Sequence, residues 1–78
     1  MRLRYFAAAA EMTGRHEQDV DGPITMGQLR AWLESEYGPV FAQVLRRSSL
    51  LVDGHRPGDD DALPDGATVD VLPPFAGG

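Results

Sequence analysis

Apolar positions alternate near both ends of the chain and recur every three to four residues through its middle, which predicts outer strands and inner helices. In "RLRYF", Leu3 and Tyr5 share one face while Arg2, Arg4 and Phe6 share the other. That stretch reads as a strand whose outer face carries charge and one aromatic. "AAAAEMTG" supplies the best helix formers and stops at Gly14, which suits a left-handed C-terminal cap. "HEQDV" reads as a second strand that leaves through the turn Asp21-Gly22-Pro23.

The fullest local signal is "ITMGQLRAWLESEYGP". Thr25 fits an N-cap and Gln28 completes a capping box, with Ile24 and Leu29 at the two positions of a hydrophobic staple. Met26, Leu29, Leu33 and Tyr37, with Trp32 beside them, form an apolar stripe at helical spacing that Gly38 and Pro39 end. "PVFAQVLRR" pairs Val40 with Val44 and Phe41 with Leu45 four residues apart, predicting a short second helix begun by Pro39. "SLLVDG" reads as a buried strand closed by Asp53-Gly54, and "HRPGDDDALPDGA" as a loop. "TVDVLP" is the last strand, stopped by Pro73 and Pro74, which cannot donate to a ladder.

Two strands, one long helix and two further strands describe an α+β layer, a mixed sheet packed on one main helix. At 78 residues the chain is expected to form one domain over residues 1–72 with a flexible tail over 73–78. There is no apolar run of membrane-span length, and the opening residues read as structure rather than a signal peptide. The absence of cysteine excludes disulfides, thiolate metal sites and cysteine nucleophiles, and suits a cytoplasmic location. A net charge of −5 argues against nucleic acid and for a basic protein partner. All seven basic residues are arginine.

Chemistry inside the domain is sparse. Phosphate-binding glycine loops are missing. Asp59, Asp60 and Asp61 are adjacent and lack the alternate spacing of a calcium loop, so they read as a solvated acidic run and no metal site is expected. His16 and His55 lie on separate segments, and Ser48-Ser49 has neither a nearby histidine nor a nucleophile elbow. Trp32 fits the core better than a ligand platform. The remaining candidate is "PPFAGG". Pro73 and Pro74 stiffen the base of a projecting tail, Phe75 offers an apolar anchor, and Ala76, Gly77 and Gly78 are slim enough to thread a narrow channel. The group left for chemistry is the Gly78 carboxylate, unreactive until activated as an acyl adenylate. No internal thiol or lysine amine is present to capture it.

These residues resemble the ubiquitin-like β-grasp sulfur carriers of the MoaD/ThiS family over nearly the whole chain. "LRYFAAAAEMTG" looks like the family's opening strand and short helix, "TMGQLRAWLESEYG" its central helix, and "LPDGATVDVLPPFAGG" its closing turn, strand and tail. The diproline ahead of the glycines is the most specific element and resembles the MoaD branch, the small subunits of molybdopterin synthase. The resemblance implies that an ATP-dependent, MoeB-like activating enzyme adenylates Gly78 and that a sulfurtransferase system converts it to a thiocarboxylate. It further implies that the tail enters a MoaE-like large subunit and gives its sulfur to a cyclic pyranopterin in molybdenum cofactor biosynthesis.

In that role Gly78 carries the reacting atom, Gly77 and Ala76 line the threaded tip, and Phe75, Pro74 and Pro73 set its path. Phe6 is a candidate exposed contact for the partner, with burial under the sheet edge the competing expectation. ATP belongs to the activating enzyme. The carrier itself is expected to bind no cofactor and to catalyse nothing alone. Phe75-Ala76 stands where the family more often has Val-Ser or Val-Thr, Val52-Asp53 where Val-Asn is common, and Gly66-Ala67 where Gly-Asp is usual. The pathway therefore stays open between molybdopterin, cysteine and thiamin synthesis, as does a role as a protein modifier forming isopeptide bonds.

Overall fold

Strand β1 (Arg2–Tyr5) buries Leu3 and Tyr5 and exposes Arg2 and Arg4, as its alternation requires. The computed structural model describes residues 1–22 and 24–74. After β1 come α1 (Ala8–Thr13), β2 (Glu17–Asp19), β3 (Ile24–Thr25), α2 (Met26–Tyr37), α3 (Pro39–Arg47), β4 (Ser49–Val52), β5 (Ala62–Leu63) and β6 (Thr68–Leu72). Four strands form a mixed sheet in the order β2-β1-β6-β4. Within it β1 runs parallel to β6 and antiparallel to β2, while β4 runs antiparallel to β6.

One face of this sheet is dry. Leu3, Tyr5, Val69, Val71 and Leu50 meet Met26, Leu29 and Leu33 of α2 and Phe41 and Leu45 of α3 in a single core. Each fully buried leucine there is worth roughly 1.5–3 kcal/mol over an exposed one. The other face carries the alternate residues of the strands and is wet. That corrects the reading of "SLLVDG" as a buried strand: Leu50 is buried and Val52 packs half-buried on the core from the same face, while Ser49 and Leu51 are half-buried on the face turned towards solvent.

Helix α2 begins as its sequence dictates. The Thr25 hydroxyl accepts from the Gln28 N–H and the Gln28 side chain accepts from the Thr25 N–H, a complete capping box worth about 1 kcal/mol. The two preceding N–H groups go elsewhere: Met26 donates to the Asp61 carbonyl and Gly27 to that of Asp59. The segment read as a bare loop is therefore a strap over the start of α2. Its Ala62–Leu63 pairs with Ile24–Thr25 as a second, two-stranded sheet. Gly27 belongs here because a Cβ would come 3.2 Å from the Asp59 carbonyl oxygen. The strap also employs two of the three adjacent aspartates, since Asp59 pairs with Arg30 and Asp61 accepts from the Gly58 N–H.

At the far end of α2, Gly38 takes φ 91° as the connection to α3, and Gly14 closes α1 at φ 74° in the expected left-handed cap. Between these elements sits a polar node inside the core. The hydroxyls of Tyr5 and Tyr37 both donate to Oε1 of Gln18, and the two rings meet edge-on with centroids 6.1 Å apart. Burial, with the Tyr37 hydroxyl adding to it, pushes the Tyr5 phenol above the usual tyrosine range.

The native chain thus holds the Tyr5 proton at a pH where the unfolded chain begins to release it, about pH 10. Stability is full below that pH and falls above it, by at most about 1.4 kcal/mol per pH unit from this group. Urea unfolding followed from pH 8 to pH 11 is expected to show this decline in the wild type and a shallower one in Tyr5→Phe.

Candidate functional site

The place to build from is the end of β6, where the chain leaves the sheet. On the β1 side the last cross-strand bond is donated by Phe6 N–H to the Val71 carbonyl, at 3.2 Å. On the β4 side the last register pair is Ser49 with Leu72. Pro73 and Pro74 follow, half-buried and exposed respectively, and neither has an N–H to continue the ladder. The exit is thus fixed on both sides up to Leu72 and released by the next two residues.

The wet face at this end is organised by one ion pair. Parallel register sets Arg4 against Asp70, and the guanidinium grips the carboxylate through Nε and Nη2 at 2.6 and 2.8 Å. This bidentate bond to Asp70 raises the Arg4 pKa above its already high ordinary value. The same guanidinium lies 5.7 Å from the centre of the Phe6 ring, a cation–π contact that holds the ring beside the strand end. Phe6 is 39% exposed and not buried beneath the sheet edge. Leu72 and Leu51, both half-buried, continue the apolar surface across β6 and β4.

Phe6 is positioned from behind by a tight turn. Ala9 N–H donates to the Phe6 carbonyl at 3.0 Å, and Ala7, the second residue of that turn, takes φ 50° and ψ −128°. This is a conformation suited to glycine, occupied by a residue with a Cβ.

Of the six tail residues singled out in the sequence, Pro73 and Pro74 are therefore placed at the end of β6, close to Phe6. Phe75, Ala76, Gly77 and Gly78 lie outside the described residues. The Arg4–Asp70 pair went unforeseen, because alternation assigns both residues to an outer face without revealing that β1 and β6 are neighbours. His16 and His55 are exposed on separate segments, and the Ser48 hydroxyl is used up in a 2.7 Å bond to the Val44 carbonyl. Among the described residues no group of three or more histidines, cysteines or acids is placed to hold a metal ion.

A mixed sheet wrapped on a central helix, with its last strand running outward between two neighbours, defines a ubiquitin-like β-grasp domain. The profile of the ThiS family matches residues 3–78, and the chain belongs to that family. It is similar to the molybdopterin synthase sulfur carrier subunit of Emericella nidulans, at 29% identity over 99% of this chain and 96% of that one. It is also similar to small archaeal modifier protein 3 of Haloferax volcanii, at 32% identity over 100% of this chain and 98% of the relative. Among solved structures, SAMP1 of Haloferax volcanii shares the fold with a TM-score of 0.77 at 24% identity, over 99% of this chain and 97% of that one.

Strain at Ala7 yields a direct expectation. Ala7→Gly removes roughly 1–3 kcal/mol of backbone strain and adds roughly 0.5–1 kcal/mol of chain entropy to the unfolded state. The variant should therefore gain about 1 kcal/mol in urea unfolding at neutral pH.

Proposed function

We propose that the chain is a sulfur carrier whose Gly78 carboxylate is the reacting group, acting as the small subunit of molybdopterin synthase. The observation that carries this reading is the family match running through Gly78, joined to a strand that delivers the chain outward at Pro73-Pro74 beside an exposed Phe6. The relative from Emericella nidulans, a sulfur carrier subunit matched over 96% of its length, supports it.

The chemistry follows from the carboxylate. One oxygen of Gly78 attacks the α-phosphate of ATP on an activating enzyme, forming an acyl adenylate and releasing pyrophosphate. Hydrosulfide supplied by a sulfurtransferase system then attacks the carbonyl carbon and displaces AMP, leaving a thiocarboxylate and releasing a proton. Sulfur is a better nucleophile than the oxygen it replaces, and an unhindered glycyl carbon leaves it accessible. In the complex with a MoaE-like large subunit, the sulfur attacks an oxygen-bearing pyranopterin carbon and displaces that oxygen, so that a C–S bond replaces a C–O bond. Water then cleaves the acyl–sulfur bond and restores the carboxylate. Nothing in this sequence asks the domain for an acid, a base or a metal. Phe75 and Phe6 supply apolar contact, Ala76 and Gly77 pass the channel, and Pro73 and Pro74 limit the entropy lost on entry. ATP points to a cytoplasmic setting, and among the described residues no helix is long and apolar enough to cross a membrane.

A second reading has its own support. The similarity to an archaeal modifier protein favours attack on the same adenylate by a lysine amine of a target protein, giving an isopeptide bond. Both readings use Gly78 and differ in the nucleophile.

Deleting Gly78 separates carrier chemistry from an inert tail. The urea midpoint should stay unchanged, because the core among the described residues is assembled from Met1 to Val71 without Gly78. Sulfur transfer to the pterin, reconstituted with the activating enzyme and large subunit, should be lost. Transfer retained by the truncated chain contradicts the proposal.

A further inference from the structure

At the opposite end of the sheet from the tail lies a groove that sulfur transfer does not use. It measures about 580 Å³ and is lined by Asp19, Val20, Asp21, Ile24, Gln28 and Trp32. Val20, Ile24 and Trp32 are half-buried and pack on the core, giving an apolar floor. Asp19 and Asp21 are exposed at its rim. In register, Asp19 faces Arg2 and Arg2 faces Thr68, the first residue of β6, whereas the tail leaves after Leu72. Four strand residues, roughly 13 Å, separate the two ends.

The groove borders an open strand edge. Strand β2 is the last in the sheet order. Its bonds to β1 run through His16, Gln18 and Val20: Tyr5 N–H donates to the His16 carbonyl, and Val20 exchanges bonds with Met1 at both its N–H and its carbonyl. Antiparallel pairing alternates, so the backbone N–H and C=O of Glu17 and Asp19 point away from the sheet. The other edge differs. On β4 the outward groups of Val52 are already taken, its N–H donating to the His55 carbonyl and its carbonyl accepting from the His55 N–H. The turn at His55 covers the Val52 end of the β4 edge, whereas among the described residues no backbone group covers the β2 edge beside the groove.

Charge selects what can pair there. Glu17, Asp19 and Asp21 line this edge, and Arg2 is the one cation among the described residues that bridges to any of them, at 3.7 Å to Glu17 and 3.4 Å to Asp19. Asp21 has no ion pair among the described residues. A second copy of this chain would bring acid against acid, which disfavours edge-to-edge self-pairing. An extended segment with arginine or lysine at alternate positions would satisfy the free backbone groups, set its cations against Asp19 and Asp21, and lay one aliphatic stem over Trp32.

We infer that the β2 edge and the adjoining Asp19–Asp21–Trp32 groove form a second docking surface, which takes a basic, extended segment of another protein by strand addition. Because it lies away from the tail exit, the carrier can be held there while Gly78 is engaged elsewhere.

The test uses the full chain, isotopically labelled, and three end-blocked peptides: Arg-Val-Arg-Val-Arg, the same peptide N-methylated at alternate amides, and Glu-Val-Glu-Val-Glu. Titration with the first should give saturable shifts at the Glu17 and Asp19 amides and the Trp32 indole, and should slow hydrogen exchange at Asp19. N-methylation and Asp21→Arg should each weaken binding by about tenfold, and the acidic peptide should not bind. Deleting Gly78 should change none of this, which separates the inference from the sulfur-carrier reading. Equal binding of the methylated peptide, shifts confined to the Phe6 end, concentration-dependent broadening at β2 without peptide, or no saturable shift at millimolar peptide each overturns the inference.

Discussion

The parallel pairing of β1 with β6 is the constraint on which the rest depends. It joins the first strand to the last at the centre of the sheet, so Leu3 and Tyr5 can be buried only alongside Val69 and Val71. Everything between them, including α2, α3 and the strap, forms a long crossover that must close before that burial is gained. The same register sets Arg4 opposite Asp70 and Phe6 beside Val71. The position of the exposed aromatic relative to the outgoing chain is thus a consequence of core packing rather than of a separate local device.

How far the sequence revealed this depends on the range of the interaction. Local signals were legible. The Thr25–Gln28 capping box, the Met26–Leu29–Leu33 stripe, the Pro39 start of α3 and the Gly14 cap all rest on contacts within a turn or two of helix. The pairing of Ile24–Thr25 with Ala62–Leu63 was not, because two-residue strands show no periodicity and exist only through each other. The aspartate run reads as a solvated acidic stretch, and its backbone role in holding the start of α2 carries no side-chain signature. At the site, alternation placed Arg4, Asp70 and Phe6 on an outer face, and only the parallel register brought them together. Strain at Ala7 was invisible in a run of four alanines.

The acidic balance of the chain takes on a spatial meaning in this fold. At the tail end, Asp70 is neutralised by Arg4, and the surface presented beside the exit is apolar, built from Phe6, Leu72 and Leu51. At the other end, Asp21 and the outward backbone of β2 are unmatched among the described residues. One end suits insertion into an apolar pocket, and the other suits a basic strand.

The central claim is that the reactive atom is carried on the terminal glycine. Intact mass measurement of the protein purified from sulfur-replete cells of its host, with fragmentation to locate the change, tests this most directly. The account predicts a population heavier by about 16 Da, oxygen exchanged for sulfur, with the increment on Gly78. A Gly78 carboxylate found unmodified throughout, in cells actively making sulfur-containing cofactors, would contradict it.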